Sequence, residues 1–143
     1  MFESHPLDLL LPDGTRRSVI LTVYYPDEED EPYEVALDLN DEQVNGSSDR
    51  GVFFALQDLR RKLDTRHVLT DCYGGSENVY PSGMAENMGD VVKAYRLTLG
   101  GQTALTDLVD IFERGSDTRP STVEAQERFF GEWCSHFVAR SKA

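Results

Sequence analysis

The sequence is short of nearly everything that catalysis, metal binding or membrane insertion draws on. Its 143 residues hold two Cys and three His. Two cysteines do not build a disulfide scaffold. No run of 18 apolar residues occurs, and a spanning helix needs about 20. The amino terminus, Met1-Phe2-Glu3-Ser4-His5-Pro6, lacks the basic start of a signal peptide. There is no G-x-S-x-G, no H-E-x-x-H and no phosphate-loop lysine. Positive charge is scarce as well: 14 Lys and Arg stand against 26 Asp and Glu, a net charge of −12. Nucleic acid and anionic lipid, which need a positive surface, are thereby excluded as direct ligands.

What is present suffices for a core. Hydrophobic residues make up 39% of the chain, and surface scaling for this mass buries roughly two-thirds of the unfolded area. Residues 1–143 are therefore expected to form one domain without help from metals or disulfides.

The acidity is local. Residues 1–49 carry 13 acids and two bases, Arg16 and Arg17, whereas residues 50–143 carry 13 acids and 12 bases. Ten acids and no base fall between Arg17 and Arg50: Asp27, Glu28, Glu29, Asp30, Glu31, Glu34, Asp38, Asp41, Glu42 and Asp49. At physiological salt, screening acts over about 8 Å, and each exposed like-charge pair costs a few tenths of a kcal/mol. The crowd thus uses up a few of the roughly 5–15 kcal/mol that stabilise a domain. A solvated loop that keeps the chain soluble is one reading of this asymmetry; because solubility alone is reached with fewer, dispersed charges, a surface for a basic partner is the other.

Residues 7–11 read as a strand running into the turn Pro12-Asp13-Gly14. Residues 17–25 are β-branched and aromatic, the strongest strand signal, with apolar residues on both faces, so both faces are expected to be covered. Residues 33–39 alternate, placing Tyr33, Val35, Leu37 and Leu39 inward. Asn45-Gly46-Ser47-Ser48-Asp49 reads as a turn cluster that caps a helix over 51–64. That helix carries Val52, Leu56, Leu59 and Leu63 on one face, with Arg60, Arg61 and Lys62 complementing its dipole. Further strands are expected over 67–73, 91–99 and 106–112, with a loop or edge strand at 78–83. Ser121-Thr122-Val123-Glu124 reads as a capping box. It opens a helix whose stripe of Val123, Gln126, Phe130, Trp133 and Phe137 suits core packing. The order βββαβ(β)ββα predicts an α+β fold: about six mostly antiparallel strands with two helices packed on one face.

Candidate chemistry is sparse. His5, His67, Cys72, Cys134 and His136 are scattered, and Cys134 and His136 point apart on a helix, so no zinc set forms. Asp27–Glu31 lacks the alternating ligands and glycine of a calcium loop. No metal or other cofactor is expected. An enzyme reading would rest on Cys72, Tyr73, Ser76, His67 and Asp107 around the Gly74-Gly75 turn. An adaptor reading would use the aromatic helix instead.

A small, acidic α+β chain without a catalytic constellation resembles the bacterial immunity proteins encoded beside polymorphic or contact-delivered toxins. Tyr80-Pro81-Ser82-Gly83-Met84, Met88-Gly89, Lys93-Ala94-Tyr95-Arg96-Leu97 and Val109-Asp110-Ile111-Phe112 also look like a segment shared by small uncharacterised bacterial proteins. The immunity resemblance implies a cytoplasmic, non-catalytic inhibitor that occludes a basic toxin cleft. The expected partner surface comprises Asp27, Glu28, Glu29, Asp30, Glu31, Glu34, Asp38, Asp41 and Glu42, with Tyr24, Tyr25, Tyr33, Tyr73 and Tyr80 as aromatic anchors.

Overall fold

The computed structural model describes residues 1–40, 42–81 and 89–141, with side chains to residue 136. Asp41, Ser82 to Met88 and the Phe137 side chain, all invoked above, lie outside the described residues. The fold is α+β with antiparallel sheets and two helices. Its strands are β1 (Phe2–Leu10), β2 (Arg16–Tyr24), β3 (Tyr33–Leu39), β4 (Glu42–Ser48), β5 (Leu69–Asp71), β6 (Val79–Tyr80), β7 (Lys93–Arg96) and β8 (Leu108–Asp110). Helix α1 (Val52–Asp64) follows β4, and α2 (Val123–Ser141) closes the chain. The single sheet of about six strands is corrected to two sheets, ordered β4-β3-β2-β1-β5 and β6-β7-β8.

Helix α1 lies on the five-stranded sheet because its apolar face meets the inward residues of every long strand. Leu7, Leu9, Val19, Leu21, Val23, Val35, Leu37 and Val44 are buried against Val52, Phe53, Leu56, Leu59 and Leu63. The expected turn at 45–49 is instead the centre of β4. Its Gly46 faces α1, where a Cβ would collide with Ala55 O and Leu59 N and stand 2.8 Å from Leu59 Cβ. Glycine is there so that helix backbone can rest directly on strand backbone.

The start of α1 also differs from expectation. No side chain caps it; Gly51 (φ 137°) precedes it, and Val52 and Phe53 donate to Asp90 O (2.8 Å) and Val91 O (3.1 Å). Val91, a β-branched residue at φ 57°, costs about 1–3 kcal/mol in backbone strain, held by those two bonds. Its side chain fills the space that a Cβ at Gly51 would need.

Arg60 is not at the surface with Arg61 and Lys62. It is 1% exposed, with Nη1 donating to Gln126 Oε1 (2.6 Å) and Gly74 O (3.1 Å) and Nη2 to Ser121 O (2.9 Å). Gln126 Nε2 in turn reaches Gly74 O, Ser76 O and Val79 O at 2.9–3.0 Å. This buried knot joins α1, the 3-10 turn at Tyr73–Gly75 and α2. Burial pushes the guanidinium down to about 10, still far enough above neutrality to stay charged.

The later strands are shorter than the sequence suggests. His67 takes φ 58° in the turn after α1, so the strand expected over 67–73 shrinks to β5. The cap of α2 is shifted by one residue: Thr122 Oγ1 accepts from Ala125 N–H (3.2 Å), and Asp64 at the end of α1 accepts from Val123 N–H (3.0 Å). Rather than sharing the sheet face with α1, α2 packs on α1 and β6.

Candidate functional site

The five-stranded sheet has an open face. Side chains alternate along a strand, so the even-numbered residues of β1, β2 and β3 point away from α1. Register brings Phe2, Tyr24, Glu34 and Ser47 into one row across four strands, with Ser4, Thr22, Ala36 and Asn45 in the next. Pro6 pairs with Ile20 beyond them. Phe2, Ile20 and Tyr24 are 65%, 54% and 41% exposed, so the expectation that both faces of β2 are covered is corrected. The Phe2 and Tyr24 rings lie 6.1 Å apart between centroids.

Carboxylates border this apolar strip. Glu34 shares the row of Tyr24, and Asp38 stands on the same face about 13 Å farther along β3, accepting from Gln43 Nε2 (3.2 Å). The loop joining β2 to β3 carries Asp27 to Glu31, all exposed. Asp27 meets the Met1 amine at 3.4 Å, and Glu31 accepts from Asp27 N–H at 3.1 Å. Among the described residues no cation pairs with Glu28, Glu29, Asp30 or Glu34. Two clefts flank the Tyr24–Glu34 pair. One, of about 280 Å³, reaches Phe2, Asp27 and Glu31; the other, of about 320 Å³, reaches Ala36, Asn45 and Lys62.

The remaining expected residues are dispersed. Glu42 points to the α1 side of β4 and is ion-paired with Arg66, which holds its carboxyl below the usual range. Tyr25 and Tyr33 also turn away from the open face. Their rings meet edge to face (6.3 Å, 81°), and their hydroxyls donate to Glu3 (3.0 Å) and Asp90 (2.7 Å). They clamp the two ends of the acidic loop instead of being presented with it. Tyr73 donates to Asp117 (2.6 Å) in a separate cluster with Arg96. Tyr80, expected on a presenting loop, is 7% exposed and stacked flat on Phe130 (3.9 Å, 7°), its hydroxyl bonded to Glu127. It belongs to the core.

The phenols carry a pH signature. Burial, then the Glu3 bond, raises Tyr25; the Asp90 bond raises Tyr33, and the Asp117 bond raises Tyr73. A raised folded-state value favours the protonated phenol, so this stability is fully present below about pH 10. It is lost as pH climbs through the raised values. Alkaline titration of tyrosinate absorbance is expected to show these three ionising above the ordinary phenol range. Their ionisation near pH 10 with the fold intact would contradict those bonds.

Of the residues of the enzyme reading, Cys72 and Ser76 are sealed inside the fold. Cys72 is fully buried, and burial pushes its thiol up, which disfavours a reactive thiolate. Ser76 Oγ donates to Cys72 O (2.9 Å) and accepts from Arg119 N–H, and Asp107 accepts from Ala104 N–H (2.9 Å). Among the described residues no three His, Cys, Asp or Glu side chains are grouped to hold a metal ion. On α2, Phe130 stacks on Tyr80 and Trp133 donates to Gly101 O (3.1 Å), so the aromatic stripe is half-buried on the domain. Among the described residues, no helix is long and apolar enough to cross a membrane.

Sequence reasoning missed Phe2 and Ile20, although the even positions of β2 hold the signal: three exposed-face residues, Ile20, Thr22 and Tyr24, of high strand propensity. No protein-family model matches the chain, and no curated protein matches it.

Proposed function

We propose that this chain is a non-catalytic protein-binding inhibitor of the immunity type, acting in the cytoplasm, which lays its open acidic sheet face over the basic cleft of a toxin domain. One observation carries the reading: an exposed sheet face on which Phe2, Ile20 and Tyr24 adjoin Glu34, Asp38 and the 27–31 loop, whose Glu28, Glu29 and Asp30 pair with no cation among the described residues. Exposed apolar surface beside unpaired charge of one sign suits a partner that is apolar at its centre and basic at its rim. Nuclease-like toxins have such clefts because their substrates are polyanions. Carboxylates steer the encounter, and the aromatic strip supplies contact area once water is expelled. The rigid Tyr25–Tyr33 clamp reduces the loop ordering that binding would otherwise require.

Affinity capture on the immobilised chain, followed by mass spectrometry, identifies the partner, and stopped-flow mixing with the purified partner then tests the mode. Exchanging Asp27, Glu28, Glu29, Asp30 and Glu31 for Asn or Gln is expected to slow association at least tenfold at low salt. The melting temperature should stay level or rise, because repulsion is relieved. A fall of many degrees would assign these side chains to the fold, and an acidic partner would contradict the reading outright.

A further inference from the structure

Strand β1 is covered on one side only along half its length. β2 pairs with all of it, whereas β5 pairs with Asp8, Leu9 and Leu10 alone. Leu11 N–H donates to Thr15 O and Tyr25 N–H to Met1 O. With the register between them, these bonds fix the phase: odd-numbered residues of β1 exchange hydrogen bonds with β2, and even-numbered ones point their polar groups to the other side. β5 takes up Asp8 and Leu10. Among the described residues no backbone group bonds Phe2, Ser4 or Pro6 on that side. Proline at position 6 fits this phase, since it lacks an N–H where the ladder with β2 needs none.

A groove of about 440 Å³ opens beside the Pro6 end of this edge. His5, Pro6 and Leu7 of β1 line it together with Asp110, Phe112 and Glu113, from β8 and the segment after it. His5 stacks flat on Phe112 (4.2 Å, 16°), which gives the groove an aromatic floor. Arg114 closes the β5 end, but its charge is countered by Asp8 (2.6 Å) and the buried Asp71 (3.5 Å). Asp110 has Lys93 only at 4.0 Å, and among the described residues no cation pairs with Glu113. The groove therefore combines unpaired strand backbone with excess negative charge.

We infer that the free edge of β1 accepts an extended segment of a partner polypeptide as a sixth strand, with Lys or Arg at alternate positions. Main-chain bonds to Phe2, Ser4 and Pro6 O would supply register. Inward side chains of the added strand meet Asp110, Glu113 and the His5–Phe112 stack and are basic. Outward ones lie beside Phe2 and Pro6 and are apolar. This surface shares Phe2 with the proposed toxin-binding face but does not use the carboxylates of the 27–31 loop.

The probe is the synthetic peptide acetyl-Lys-Val-Lys-Val-Lys-Val-Lys-amide, with its Glu-for-Lys counterpart as control. At saturation it is expected to slow hydrogen exchange of the Ser4 amide at least tenfold, and the control peptide should not bind. Ser4→Pro removes that amide without breaking a bond to β2 and is expected to weaken peptide binding at least tenfold. The protein neutralised at Asp27 to Glu31 should still show the Ser4 protection, which separates this site from the carboxylates of the 27–31 loop. Unchanged Ser4 exchange at saturation, no binding at millimolar peptide, or wild-type affinity in a folded Ser4→Pro protein would each overturn the inference. Should Ser4→Pro fail to fold, the wild-type exchange measurement decides alone.

Discussion

Exchanging Gln126 for leucine is expected to remove about 4 kcal/mol of stability, although volume and burial hardly change. Gln126 is fully buried and is, among the described residues, the only side-chain acceptor for the Arg60 guanidinium, which is itself 1% exposed. Its Nε2 also serves three carbonyls, those of Gly74, Ser76 and Val79. Removing the amide leaves a buried cation short of its nearest acceptor and strips donors from those carbonyls at once. Hydrogen bonds to charged groups are worth about 1.5–3 kcal/mol each, and an orphaned buried polar group costs about 1–3 kcal/mol. Arg60→Met should cost less, because the ion leaves together with its desolvation penalty. Gly74 O, Gly75 O and Gln126 Oε1 then keep other donors: Gln126 Nε2, Ser121 N–H and Gln57 Nε2. Urea unfolding of both single variants and the double variant checks this. The double variant should be more stable than the sum of the singles allows. Additive losses, or a harmless Gln126→Leu, would show that the knot does not act as a unit.

Gly46→Val is the second large effect, with an expected loss of about 3 kcal/mol or more. The obstacle to a side chain here is backbone, the carbonyl of Ala55 and the amide of Leu59, so no rotamer change relieves it. Helix α1 would have to lift off β4 and open the layer of Val35, Leu37 and Val44 beneath it. Denaturant unfolding with an unchanged slope and a lower midpoint is the expected outcome. A variant as stable as the wild type would mean that α1 sits farther from β4 than described.

The same glycine shows why part of the fold was hidden in the sequence. β3 was legible because Val35 and Leu37 alternate with Glu34 and Asp38, and α1 because Val52, Leu56, Leu59 and Leu63 repeat at helical spacing. β4 offers one large apolar inward side chain, Val44, since its next inward position must be glycine to admit the helix. Read locally, Asn45-Gly46-Ser47 is a turn. Arg60 looked like a solvated dipole partner because its acceptors, Gly74, Ser121 and Gln126, lie 14, 61 and 66 residues away. The candidate site divides along the same line. Its charge was legible as a run without bases, but the face was not. Strand register alone decides that Tyr24, Glu34 and Asp38 share a surface with Phe2 and Ile20. Tyr80 left the set because Phe130, 50 residues on, lies flat against it.

In the proposed function the exposed carboxylates of the 27–31 loop and the open sheet face meet a basic protein. The most direct test is the association rate constant with the captured partner, followed from low to physiological ionic strength and beyond for the wild type and the loop-neutralised variant. Steered association predicts a steep fall for the wild type, by a factor of about ten or more, and a shallow one for the variant, with the two converging at high salt. Parallel, flat lines for both proteins would contradict it.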